Sequence, residues 1–589
     1  MTDPPDPTAW GITSGYHHVD GHWVHSPEAG VAAALAAMGA DGEPPSTRTW
    51  VVDRRQGLHV PFPATLVAED GGSEQVAGQI PPGALPLGYH WIEPAHGGDP
   101  IRLIVSPGVC PRPDRMWGWA VQLYAARSRT SWGMGDLGDL RRLAASDAPL
   151  LLINPLHAVA PVAAQQASPY FPASRRWRNP IYIDVESVPG REDIPSIDEL
   201  ARVGEKLNAD RVIDRDEVWR IKRLALEAIW ARTGLVAESE RWIEAQGPSL
   251  VGFAAWAALT DDHGPDWRTW PIELREFGSP AVKAWTAEHR DDVMFHAWMQ
   301  WLISEQLAAA SAEAVIAGDL AIGVDPAGAD AWQWPDVLAP GVTIGAPPDE
   351  FNPLGQDWSM PPFDPWRLRA AAYEPFVDMV RAAFTGMNGV RIDHVAGLFR
   401  AFWVPSGGPA ADGVYVRYPW QDLLNIVALE AERAGGFVVG EDLGTVEPDV
   451  RRALAERNVL SYRLLWFEDD RPARWPELSL GAITTHDLPT LAGVWRGTDG
   501  AEFRARLTAS DADGVSDVAR AIYAELAVAP PLIVMGTLED VLEVEERPNH
   551  PGTTDEFPNW SLALPVPLED VLADPRFTAA EGALTRPDP

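Results

Sequence analysis

Three segments of this 589-residue chain set a carboxylate directly behind a short apolar run. GVRIDH carries Asp393 after residues 389–392, GFVVGEDLG carries Glu441 after 436–440, and AITTHDLPT carries Asp487 after 482–485. If the runs are strands of a parallel barrel, all three acids reach the C-terminal rim, where such barrels do their chemistry. A set of this kind suits glycosyl transfer. One carboxylate attacks the anomeric carbon, and a second, protonated, donates to the leaving oxygen. The same group then takes a proton from the acceptor, while a third stabilises the oxocarbenium-like charge. An acid after a strand also serves as a helix N-cap or turn residue, and acids on one rim also suit a bound metal. Spacing alone leaves these readings open.

The elements that would position the acids are legible as alternating strand and helix patterns from about residue 115 onward. Apolar runs lie at 119–124, 150–154, 320–324, 389–392, 436–440, 462–467, 482–485 and 532–535, and most are continuous, as strands buried on both faces are. Eight such strand–helix units predict a (β/α)8 TIM barrel, an α/β fold. Residues 190–315 read as a helical insertion between the second and third strands. Residues 1–45 form a lead-in with a helix near 28–38. Residues 46–112, rich in Gly, Pro and short apolar runs, predict a small β-sandwich-like domain. Residues 113–589 are the expected barrel domain.

Composition narrows the partners. The formal net charge of −37 repels phosphate backbones, so neither nucleic acid nor an anionic membrane surface is expected as a partner. A neutral ligand fits this field, although a generally acidic or salt-adapted proteome gives the same balance. The only cysteine is Cys110, which excludes an internal disulfide and points to a reducing, cytoplasmic setting. The N-terminus has no basic-then-apolar signal pattern, and no run approaches the ~18 apolar residues of a membrane span. Tryptophan is abundant, at 27 residues, which serves sugar stacking and core packing alike. No HExxH motif, CxxC pair, GxGxxG or P-loop is present, so no metal or other cofactor is expected.

At these residues the chain closely resembles the amylomaltases, the 4-α-glucanotransferases of glycoside hydrolase family 77 in the α-amylase superfamily. The resemblance rests on an ordered series from Trp117 to Trp560. It includes QLYAARSRTSWGMGDLGDL, INPLHAVAP, SPYFPASRRWRNPIYIDVE, GDLAIGVDPAGADAW, GAPPDEFNPLGQDWSMPP, VRIDH, GEDLG, TTHDLPT and RPNHPGTTDEFPNW. It implies a retaining double displacement with Asp393 as nucleophile, Glu441 as general acid/base and Asp487 as transition-state stabiliser. Arg391, two residues before Asp393 and so on the same strand face, is expected to orient it.

His486 matches a histidine that bonds hydroxyls of the reacting sugar. Tyr170, with Ser168 nearby, matches a ring that stacks on that sugar. Asp349, Gln356 and Trp358 match a loop over the cleft, 345–362, whose prolines stiffen it and whose Phe351 and Trp358 are expected to cover the sugar and exclude water. At Glu350 many relatives carry a tyrosine. Asn559 and Trp560 match the end of a PNW motif, and Asp325 is a further candidate. The N-terminal β-rich segment resembles an extension of the longer bacterial members, in a shorter form. The implied partners are maltodextrins as donors, with maltose or glucose as acceptor, and no cofactor. An α-glucan hydrolase using the same three acids, or a non-catalytic glycan-binding protein, are the alternative readings.

Overall fold

The computed structural model describes residues 5–18, 21–349, 352–444, 446–507, 513–553 and 556–587. Eight strands form one closed barrel in sequence order: Met116–Val121, Leu150–Ile153, Val315–Leu320, Gly389–Ile392, Phe437–Gly440, Leu460–Leu464, Ser479–Ala482 and Ile533–Thr537. Pairing is parallel, with Gly118 opposite Leu150, Val315 opposite Leu150 and Met535 opposite Gly118. Strands two, four, five and seven are buried along their whole length, and the second and fifth accordingly read as unbroken apolar runs.

By packing, the chain divides into two compact units. The first comprises residues 1–113, 334–384 and 390–461. Its helix Glu28–Met38 is Ala-rich and stops at Gly39, whose φ of 63° closes the last turn with N–H bonds back to Leu35 and Ala36. A five-stranded sheet follows, in the order Thr49–Asp53, Ile101–Ser106, Gly88–Pro94, Leu58–Val67, Ser73–Ile80. The expected sandwich is therefore a single sheet. One face gathers Val60, Leu66, Ile92, Leu103 and Val105 into a core of its own. The opposite face is covered by the helix Trp420–Ala434 rather than by a second sheet, and Tyr89 on that face donates from its hydroxyl to Glu430 at 2.6 Å. The strand Ser73–Ile80 was not read from the sequence, because it buries no residue and carries no apolar signal. A second sheet, of four antiparallel strands, is built from Gln356–Met360, Val342–Ala346, Arg400–Pro405 and Val414–Arg417.

The second unit comprises residues 114–333, 385–389 and 462–589. The expected helical insertion is present as Ile197–Leu207, Arg215–Thr233, Ala237–His263, Pro280–Glu288 and Arg290–Ser311. Asp214 caps the second of these by accepting the Glu217 N–H. The third is broken at Gly247, where Pro248 follows and supplies no amide hydrogen. Tryptophan serves the interior heavily: Trp119, Trp256, Trp270, Trp332 and Trp466 of this unit are fully buried.

Four barrel strands begin ahead of their apolar runs: the first at Met116 rather than 119, the third at Val315 rather than 320, the sixth at Leu460 rather than 462 and the seventh at Ser479 rather than 482. The third is Val315–Leu320, not 320–324, because pairing of Val315, Ile316 and Ala317 with Leu150, Leu151 and Leu152 fixes it on the first half of a longer apolar stretch. The seventh is Ser479–Ala482, not 482–485, so residues 483–486 form a loop ahead of Asp487. Among the described residues no helix is long and apolar enough to cross a membrane. Cys110 is buried as a free thiol, which burial pushes up to about 12.

Candidate active site

In the first unit, Asp393 and Glu441 follow barrel strands four and five and are tied together by backbone. The Glu441 N–H donates to Ile392 O at 3.0 Å, and the Val395 N–H donates to Glu441 O at 3.0 Å. The close approach requires Gly440, where a Cβ would lie 2.9 Å from a Val395 methyl. The Glu441 carboxylate accepts the His394 N–H on Oε2 at 2.9 Å and the Leu443 N–H on Oε1 at 2.8 Å. Arg391 donates from Nη1 to Asp393 Oδ1 at 3.1 Å; its own side chain is 5% exposed against 21% for the aspartate. A charge-assisted bond from a buried guanidinium fixes the carboxylate's orientation. Between the two acids, His394 adopts φ 46° and ψ 57°, and burial holds its imidazole below the usual value against the opposing pull of Glu441.

Behind Glu441, Asp442 is buried and acts as a strut. It accepts Ser461 Oγ at 2.8 and 2.9 Å and Arg451 Nε at 3.2 Å. Trp358 meets His394 edge to face, with ring centroids 5.6 Å apart, and its indole N–H donates to Gln356 Oε1 at 2.9 Å. Trp358 and Gln356 are thus a local pair set beside the residue that follows Asp393. Asp349 accepts the Asn352 N–H at 2.6 Å. Glu350 and Phe351 lie outside the described residues.

In the second unit, three rings form a mutual cluster. The Tyr170–His486, His486–Trp560 and Tyr170–Trp560 centroids are 5.2, 5.2 and 5.3 Å apart. The Tyr170 hydroxyl donates to Asp319 Oδ2 at 2.6 Å, and Ser168 Oγ accepts the Tyr170 N–H at 3.3 Å. Trp560 is held from behind by Arg215, which donates to its carbonyl. Asp487 accepts Asn549 Nδ2 on Oδ1 at 2.7 Å, while its other oxygen lies 3.4 Å from His486 Nε2. Arg547 donates to the Asp487 carbonyl at 3.0 Å and pairs bidentately with Asp499, at 2.8 Å on both oxygens. Nearby, burial pushes the Glu539 carboxyl up to about 7; Asp540 adds to the rise and His486 opposes it.

The model of glycoside hydrolase family 77, described as 4-alpha-glucanotransferase, matches residues 121–568. The chain belongs to that family. It is 37% identical to the 4-alpha-glucanotransferase of Mycobacterium tuberculosis, with 98% of each chain covered. The crystal structure of amylomaltase from Corynebacterium glutamicum superposes with a TM-score of 0.86 at 29% identity, covering 98% of this chain and 99% of that one. Amylomaltase from Streptococcus agalactiae, solved in complex with acarbose, shares the fold at a TM-score of 0.68 and 18% identity, covering 80% of this chain and all of that one. The chain is therefore a 4-α-glucanotransferase, an enzyme that processes glucans.

Within this family frame, three functional candidates escaped the sequence reading. Asp319 sits inside the third barrel strand, which begins five residues before its apolar run. Asp325, in the loop beyond it, donates from its N–H to Pro172 O at 2.7 Å and accepts the Ala327 N–H at 2.8 Å. Asn549 and Arg547 were visible only as letters of the RPNHPG motif; what they touch depends on how that loop folds against Asp487. Asn559, expected from the PNW motif among the substrate-binding residues, accepts the His550 N–H on Oδ1 at 2.8 Å and donates from Nδ2 to Thr553 at 3.0 and 2.9 Å. Among the described residues no cluster of three or more His, Cys, Asp or Glu is arranged to hold a metal ion.

Proposed function

We propose that Asp393, Glu441 and Asp487 carry out a retaining transfer of α-1,4-glucan segments from a maltodextrin donor to another maltodextrin, maltose or glucose. The observation that carries this reading is the Asp393–Glu441 pair, delivered on consecutive barrel strands with Arg391 bonded to the first acid. Asp393 Oδ attacks the anomeric carbon as the C1–O4 bond breaks, and protonated Glu441 gives its proton to the departing O4. The product is a glycosyl ester on Asp393 and a shortened glucan. Glu441, now a carboxylate, takes the proton of the acceptor 4-hydroxyl as that oxygen attacks C1 and releases Asp393. Each Glu441 oxygen accepts one backbone amide in this structure and keeps a further lone pair for the proton it gives and takes.

Asp487, oriented by Asn549, stabilises positive charge on the sugar ring and accepts from its hydroxyls. His486 bonds the same sugar, and the Tyr170 ring, fixed by Asp319, stacks on it. Trp358, Gln356 and Asp349 serve the acceptor side of the cleft. The acarbose complex of the streptococcal relative supports an oligosaccharide as the ligand class. Hydrolysis differs only in using water for the second attack. Incubation with maltotriose and labelled glucose separates the two: transfer yields labelled maltose and longer labelled products, and hydrolysis alone yields none. Absence of labelled longer products would overturn the acceptor assignment.

A further inference from the structure

The second unit has a cavity of about 740 Å³ whose wall includes Arg211, Asp499, Glu546, Arg547, His550 and Phe557. Its volume is that of a small-ligand site, which runs to about 300–1,000 Å³. The charges on the wall are already matched. Arg211 meets Glu546 at 3.0 Å, Arg547 grips both oxygens of Asp499, and Arg496 holds Glu543 and Glu545, also on the wall, at 2.6 and 2.9 Å. Among the described wall residues both arginines are paired with carboxylates, and the excess of acids repels anions. Matched guanidinium–carboxylate pairs instead present fixed N–H donors and oxygen acceptors, which suit a neutral, hydroxyl-rich ligand. Phe557 adds a flat apolar face, with the His550 ring 5.7 Å from it, and Nδ1 of His550 is buried with no hydrogen-bond partner.

We propose that this cavity is an accessory site for a neutral α-glucan segment, separate from the reacting sugar. The choice of α-glucan rests on the function proposed above; the choice of a neutral oligosaccharide rests on the wall itself. Arg547 belongs to both places, forming part of the wall while donating to the Asp487 carbonyl. A glucan lying here keeps the donor near the catalytic acids between transfers, which favours long substrates over short ones.

The test counts bound maltotriose by calorimetry on the full chain carrying Asp393→Asn. Two cavity variants are added separately: Phe557→Ala, which removes the stacking face, and Thr498→Trp, which places a large ring in the cavity wall. The expected result is one maltotriose fewer per chain in each variant. Turnover of the corresponding active chains should show KM for a long maltodextrin raised at least threefold with kcat unchanged. Unaltered stoichiometry in both folded variants, or tighter binding of glucose 1-phosphate than of maltotriose at this cavity, overturns the proposal. Residual turnover by Asp393→Asn would instead strike at the catalytic assignment, leaving the count of bound sugars to report on the cavity alone.

Discussion

The surroundings of Asp393 and Glu441 differ in kind from those of Asp487. The first pair is positioned by main chain. Glu441 accepts two amide N–H groups, its own peptide is bonded on both sides to the fourth strand's continuation, and a single buried arginine orients Asp393. Asp487 stands five residues past its strand and is positioned by side chains: Asn549, His486 and, through its carbonyl, Arg547. Backbone positioning comes with the barrel and survives most substitutions nearby. Side-chain positioning divides among several residues, each removable alone. Loss of a reacting acid should therefore be near total, and loss of the supports around Asp487 should be graded.

The largest effect expected is that of Asp393→Asn, which removes the proposed nucleophile. Glucose release from maltotriose should fall by about 10^4-fold or more, with an unchanged circular-dichroism melt, because the strand-end backbone bonds remain. A substantially less stable variant would mean that this acid also serves the fold, and the comparison would break.

Glu441→Gln comes next, at about 10²–10⁴-fold on maltotriose. A glucosyl fluoride donor needs little protonation to depart and should still label Asp393, read as a hexose mass increment on that peptide. Failure to label would remove Glu441 from its role.

Asn549→Ala probes the side-chain-built half. A hydrogen bond to a charged group contributes about 1.5–3 kcal/mol, so kcat should drop by about 10- to 150-fold while binding of maltotriose to the Asp393→Asn background stays within twofold. An equal loss in binding would make Asn549 a sugar contact rather than an orienting residue.

The smallest shift belongs to Trp358→Ala. Its ring meets His394, the residue after Asp393, edge to face, and its indole N–H goes to Gln356. Opening this cover admits water and weakens acceptor stacking, so the ratio of reducing ends gained to glucan units transferred should rise by about two- to fivefold. A ratio that does not move would leave Trp358 as a loop anchor.

The two halves also differ in how far they could be read in advance. Asp393, Glu441 and Arg391 were legible because a fully buried parallel strand writes itself as an apolar run, and the residue after it, or two before that, follows from strand periodicity alone. The helical insertion and the Glu28–Met38 helix were legible by the same local rules. The Asp319–Tyr170 and Asn549–Asp487 bonds join residues 149 and 62 positions apart, and no local pattern specifies such a pairing.

Composition and periodicity thus determined the barrel, its order of strands and the acids at two strand ends. Tertiary structure decided the rest. Cross-strand register chose which half of residues 315–324 is strand, and so made Asp319 rather than Asp325 the acid beside Tyr170. A helix, not a second sheet, covers the N-terminal strands, because one amphipathic face can be buried equally well by either layer and sequence periodicity does not name the partner.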